Sequence, residues 1–142
     1  MTLVVDASVA LKWYLIEDGA EAARQNLADG ATLVAPELIV AEVCNAAWLA
    51  GRRGEISAAQ QGAIAEDIGR VFDQLERLVP YASRAMAIAR ELDHPAYDCF
   101  YLTLSEALDA PLVTADGRLL ARVAGTPFTA RTRGLDGYTP RN

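Results

Sequence analysis

Several residue types are scarce in this chain, and each shortage excludes a chemistry. One histidine, His94, stands among 142 residues, in an Asp93-His94-Pro95 turn. A histidine-rich zinc centre is therefore excluded. The two cysteines, Cys44 and Cys99, lie in apolar stretches and have no CxxC spacing. They read as buried free thiols of a reducing compartment. Lys12 is the single lysine. No segment reaches the roughly 20 consecutive apolar residues of a membrane span. The longest apolar stretch, Leu38 to Ala50, carries Glu42 and Asn45 in its middle. Met1 to Asp6 has no basic segment ahead of its short apolar run, unlike a secretory signal. GxGxxG and GxxxxGK nucleotide loops are absent, as are repeats, low-complexity tracts and linkers. These absences predict a soluble, cytoplasmic protein with no membrane contact.

What is present suits one core. With 52% hydrophobic and 23% charged residues, the chain is globular in composition. Its length predicts a single domain over residues 1–142, able to bury about two-thirds of its unfolded surface without disulfides. The formal net charge is −6, which argues against a nonspecific nucleic-acid coat. Charge is uneven: residues 1–116 carry net −10, and residues 117–142 carry five arginines against one acid. Twelve of the thirteen cations are arginine, and 27 alanines accompany them, as codon bias in a GC-rich genome produces.

Short apolar runs alternate with longer helical ones. Leu3-Val4-Val5 reads as a first buried strand, followed by helices over 7–15 and 20–29. Thr32 to Ala35 reads as a second strand, stopped by Pro36. A strongly apolar helix follows over 37–52, ending in Arg52-Arg53-Gly54, with cations and a glycine where a helix C-terminus favours them. Ser57 caps a helix running to about Leu78, in which Ile64, Ile68, Val71, Phe72 and Leu75 recur at helical spacing. A third strand is predicted near Val79–Tyr81, then helices over 83–92 and 95–109. Pro111 to Thr114 reads as the fourth strand, with a short helix after Gly117 and a fifth strand around Phe128. This alternation implies βα units. It predicts a three-layer α/β/α fold with a parallel sheet of four to five strands. In such sheets the ligand crevice lies beyond the carboxyl ends of the strands, where strand order reverses. Asp6 and Asp116 follow the first and fourth strands, at that edge.

Four carboxylates stand out: Asp6, Glu42, Asp98 and Asp116. Three have ordinary local roles open to them. Asp6 suits a helix cap, Asp98 the positive end of a helix dipole, and Asp116 the turn before Gly117. Glu42 is different, because Leu38, Ile39, Ala46 and Leu49 share its helix face. A carboxylate in an apolar stripe is costly unless paired or metal-bound, and no cation lies within a turn of it. A metal, or an arginine from another element, is expected there. Together the four are hard oxygen ligands of the kind Mg²⁺ and Mn²⁺ prefer, and metal-bound carboxylates suit phosphoryl chemistry. Ser8 and Thr114 accompany Asp6 and Asp116, and Asn45 lies one turn from Glu42.

These residues fall into a recognisable pattern. Val4-Val5-Asp6-Ala7-Ser8, Pro36-Glu37 through Glu42-Val43 and Asn45, Ala96-Tyr97-Asp98-Cys99-Phe100-Tyr101-Leu102, and Pro111 through Asp116-Gly117-Arg118-Leu119 follow in order. The chain resembles a PIN-domain ribonuclease, specifically a VapC-type toxin of a bacterial toxin–antitoxin pair, over about residues 2–129. The resemblance implies a Mg²⁺-dependent endoribonuclease, with Mn²⁺ able to substitute. It implies Asp6, Glu42, Asp98 and Asp116 as catalytic, metal-binding acids, with Ser8, Asn45 and Thr114 in support. It also implies an RNA substrate, a VapB-type antitoxin and a homodimer. Trp13, Tyr14, Trp48 and Leu49 are the aromatic and apolar residues available for such interfaces.

Rival readings fit less well. A phosphoacceptor receiver needs paired acids after its first strand and a late lysine. A haloacid-dehalogenase-type phosphatase needs an aspartate where Ser8 stands. A serine hydrolase would need a GxSxG elbow and a use for His94. The remaining alternative is a catalytically silent RNA-binding or scaffold domain of the same fold. Without the four acids the net charge is about −2. Arg52, Arg53, Arg118 and Arg122 are then the candidates to meet phosphates.

Overall fold

The computed structural model describes residues 1–140. Five strands form one sheet: β1 (Thr2–Val5), β2 (Thr32–Pro36), β3 (Gln74–Glu76), β4 (Leu112–Val113) and β5 (Thr132–Arg133). Their order is β3-β2-β1-β4-β5, and every pairing is parallel. Val4 stands opposite Val34 on one side and Leu112 on the other. Leu3, Val4, Val5, Leu33, Val34, Leu112 and Val113 are all buried. Strands covered on both faces read as continuous apolar runs, which is why these were visible in the sequence.

Seven helices flank the sheet: α1 (Ala7–Lys12), α2 (Ala20–Ala28), α3 (Leu38–Arg52), α4 (Ala58–Val71), α5 (Ala82–Leu92), α6 (Ala96–Leu108) and α7 (Gly117–Val123). The chain moves outward from β1 to β3, then crosses back to β4 and β5. Right-handed crossovers therefore put α1–α4 on one face and α5–α7 on the other. The reversal falls between β1 and β4, at the carboxyl ends of those strands. Ser57 caps α4 as expected: its Oγ accepts from the Gln60 N–H at 3.1 Å, and Gln60 Oε1 accepts from the Ser57 N–H at 2.7 Å.

Two strands lie away from their predicted places. Helix α4 stops at Val71, not near Leu78, and β3 occupies Gln74–Glu76. Val79–Tyr81 is a 3₁₀ turn with an exposed Val79. Phe72 leaves the helix to pack its ring 5.7 Å from Trp13. The Asp73 carboxylate then accepts from the Leu33 N–H at 2.8 Å, steering the chain beside β2. Leu75 falls four residues after Val71, so a three-residue edge strand imitated one more helical turn. Similarly, β5 lies at Thr132–Arg133 rather than at Phe128. Phe128 is a buried plug ahead of a 3₁₀ turn (Thr129–Arg131), and the polar Thr-Arg pair carries no strand signal.

The stretch before residue 140 is anchored near the start of the chain. Gly19 has φ +85°, and a Cβ there would fall 2.9 Å from the Tyr138 ring. The Lys12 ammonium lies 4.9 Å from the centre of that ring and also binds Glu17 and the Asp18 carbonyl. Among the described residues no helix is long and apolar enough to cross a membrane.

Candidate metal centre at the carboxyl edge of the sheet

Asp6 is the first residue beyond β1. Its backbone N–H donates to the Val113 carbonyl at 3.2 Å, so β1 and β4 jointly set its position. Oδ1 accepts from the Ser8 N–H at 3.0 Å, the Val9 N–H at 3.3 Å and the Ser8 hydroxyl at 2.5 Å. Oδ2 accepts from the Thr114 hydroxyl at 2.5 Å. Asp6 thus caps α1 and joins a hydroxyl network at the same time. The network continues, because Ser8 Oγ accepts from the Ala115 N–H and Thr114 Oγ1 from the Asp116 N–H. Asp116 caps α7 through the Arg118 and Leu119 N–H groups. Local capping and site building are one arrangement here, not competing explanations.

Glu42 and Asp98 arrive from the two helical layers. Glu42 lies on α3, half-buried, and its Oε1 accepts from the Tyr101 hydroxyl of α6 at 2.7 Å. Of the two expected compensations, a metal or an arginine, no arginine pairs with it among the described residues; a neutral phenol from the opposite layer does. Asp98 lies in the first turn of α6 and shares a 2.6 Å hydrogen bond between Oδ2 and His94 Nε2. Sequence reading set His94 aside as a turn residue and assigned Tyr101 no partner. Tyr101 had a signal, lying three residues after Asp98 on the same face of α6, whereas His94 precedes the helix and reaches Asp98 from the turn before Pro95.

The electrostatics bind the four acids into one set. Burial raises the Asp6 carboxyl to about 7, against the lowering effect of Ser8, Thr114 and Val9, and the Asp98 charge raises it further. Burial also raises Glu42; the Tyr101 bond opposes this and Asp98 adds to it. Asp98 is raised by burial and by Asp116, against the lowering effect of His94. Asp98 therefore feels or is felt by each of the other three. Among the described residues, none of the four pairs with a lysine or arginine. Nor do any three carboxylate, imidazole or thiol groups there stand close enough to hold a metal as arranged. The donor chemistry nevertheless fits a hard divalent cation: four carboxylates, coupled through Asp98, with backbone N–H groups, neutral hydroxyls and one imidazole as their partners.

The supporting residues divide. Ser8 and Thr114 sit inside the network, 3.4 Å apart at their hydroxyls. Asn45 is exposed on α3 and touches none of the acids through a hydrogen bond. Of the four apolar candidates, Trp13 belongs to the core, with its indole N–H on the Ala23 carbonyl at 2.9 Å. Tyr14 donates to Asp67 at 2.7 Å. Trp48 and Leu49 are exposed, and Arg52 stacks on the Trp48 ring.

Known proteins resemble this chain in fold and in sequence. The PIN domain profile matches residues 3–126. Ribonuclease VapC3 of Pyrobaculum aerophilum is 30% identical over 122 residues, covering 84% of this chain and 92% of that protein. A toxin–antitoxin complex from Klebsiella pneumoniae contains a chain superposing with a TM-score of 0.68 at 15% identity, over 96% of this chain and 98% of that one. VapBC2 from Rickettsia felis, bound to a DNA fragment from their promoter, gives 0.64 at 12% identity, over 96% and 100%. The family match over residues 3–126 and the 30% identity over 122 residues lead to one assignment: the chain belongs to the PIN domain family, among the relatives of its VapC ribonucleases.

Proposed function

We propose that this chain is a Mg²⁺-dependent endoribonuclease, with Mn²⁺ as a working substitute, and the toxin of a VapBC-type pair. One observation supports the reading: the carboxylates after β1, on α3, on α6 and in the β4–α7 turn are coupled in charge through Asp98, and among the described residues none has a lysine or arginine partner. Asp6, Glu42, Asp98 and Asp116 would hold the metal. When bound, it supplies Lewis-acid neutralisation of the phosphate and activates water for attack on phosphorus. The chain's own residues prepare that chemistry. Ser8 and Thr114 hold Asp6 in one rotamer, using one hydroxyl on each carboxylate oxygen. Tyr101 holds Glu42, and His94 holds Asp98. Burial around Asp6 excludes water and strengthens each charge interaction there.

The toxin role, a single domain over 1–142 and a cytoplasmic location complete the proposal. The partner would be a VapB-type antitoxin whose arginine or lysine enters the acidic pocket. Exposed Trp48 and Leu49 are the apolar surface available to that partner or to a second copy of the chain. Purified protein incubated with RNA should cut it in Mg²⁺ or Mn²⁺ and stop in excess EDTA, with the new ends mapped by sequencing. RNA binding without cleavage in any divalent metal would instead support a silent scaffold.

A further inference from the structure

Sequence alone left four arginines equal as phosphate contacts; their surroundings separate them. Arg52 and Arg53 lie at the far end of α3, and Arg52 is stacked on Trp48. Arg118 and Arg122 lie one turn apart on α7, the helix that Asp116 caps. They wall an open cavity of about 540 Å³ between α7 and the α5–α6 corner, where Asp93, His94 and Pro95 form the opposite side. His94 belongs to both places: its ring lines the cavity while Nε2 reaches Asp98. The cavity is therefore continuous with the acidic site through one imidazole, and with Asp116 through the first turn of α7.

The charges are informative. In a chain with 19 acids, neither Arg118 nor Arg122 makes an ion pair among the described residues. Asp93 sits across the cavity at the left-handed end of α5, with φ 49°, and forms no ion pair with either. Two planar guanidinium groups on one helix face, beside the proposed site of phosphodiester hydrolysis, match the paired non-bridging oxygens of a phosphodiester.

Resting on the nuclease reading, we infer that this cavity is a phosphate subsite for single-stranded RNA. It holds a backbone phosphate next to the one being cut, with Arg118 and Arg122 as its binding residues. These contacts oppose the repulsion between the acidic pocket and the strand, and set the strand's register over Asp98 and Asp116.

The experiment compares wild type, R118A/R122A, R118K/R122K and R52A/R53A on a fluorescent single-stranded RNA oligonucleotide across a salt series in Mn²⁺. The double alanine variant should lose tenfold or more in kcat/KM, mostly through KM. Its dependence of log kcat/KM on log salt should be shallower by about 0.7, the value for one lost phosphate contact on a single strand. R118K/R122K should keep most of that salt slope. R52A/R53A should match wild type, and Mn²⁺ affinity measured without RNA should be the same in all four. An unchanged salt slope in R118A/R122A, or a loss of Mn²⁺ affinity, overturns the subsite. So does loss of a captured antitoxin with RNA parameters intact. A wild type that cuts nothing overturns the nuclease reading instead; anisotropy of the same RNA with wild type and R118A/R122A then still decides the subsite, equal binding overturning it.

Discussion

The strand-end acids and the helix-borne acids are held in different ways. Asp6 and Asp116 sit where β1 and β4 stop, and backbone N–H groups grip both. Asp6 adds two hydroxyls that are themselves tied to the backbone of the β4–α7 turn. Glu42 and Asp98 each depend on one side chain, Tyr101 and His94 respectively, and both donors come from α6 or the residues just before it. One pair is built into the sheet edge, and the other is adjustable through a single contact. Among the described residues no three of these acidic or imidazole groups stand close enough to hold a metal as arranged.

Breaking the rigid side should have the largest effect. Asp6→Asn and Asp116→Asn are expected to lower RNA cleavage by about a thousandfold or more, since each removes a charge worth several kcal/mol in the transition state. Circular dichroism should show the fold intact, because asparagine also caps helices. Breaking the adjustable side should cost less. Tyr101→Phe and His94→Ala should each lower activity or Mn²⁺ affinity about ten- to a hundredfold, the range for partners that orient a metal ligand. Glu42 and Asp98 would still be present in those proteins. If Tyr101→Phe proved as damaging as Asp6→Asn, the two sides would not differ as described.

A pH series on metal-free protein sharpens the contrast. The folded Asp6 carboxyl lies at about 7, above its ordinary 3.8. The native state therefore keeps a proton that the unfolded chain has released. Stability from this group is fully present below pH 3.8 and is lost as pH rises through 7. Glu42 and Asp98 are raised as well and act in the same direction. In EDTA, wild type should melt lower at pH 8 than at pH 6, and Asp6→Asn should remove most of that decline. Asn45→Ala should have the smallest effect, within about 0.5 kcal/mol in stability, as for exposed positions generally. Its activity should stay within about twofold of wild type.

The same contrast explains what could be read from sequence. Strand-end acids announce themselves, because an apolar run stops at a charge and a helix starts: Val5-Asp6-Ala7 and Thr114-Ala115-Asp116-Gly117. Glu42 was visible as a charge on an apolar stripe. Its partner was not, since the search was for a cation and the donor is a phenol 59 residues away. His94 was judged on its neighbours in the chain rather than on its spacing to Asp98. The central strands were legible because both faces are buried. The edge strands were not: β3 has only Leu75 as an apolar member, and β5 is two polar residues held by pairing with β4.

The central claim is that the four acids form one metal site, and Mn²⁺-induced thermal stabilisation tests it without RNA. At a hundredfold excess over its dissociation constant, a ligand that binds only the folded state adds about 2.7 kcal/mol. In a domain of this size that raises the melting temperature by several degrees. Asp98 is the decisive position, because its charge couples to the other three. Asp98→Asn should melt higher than wild type in EDTA, one repelling charge being gone, and should lose most of the Mn²⁺ shift. An Asp98→Asn protein that melts lower in EDTA and keeps the full Mn²⁺ shift would contradict the account.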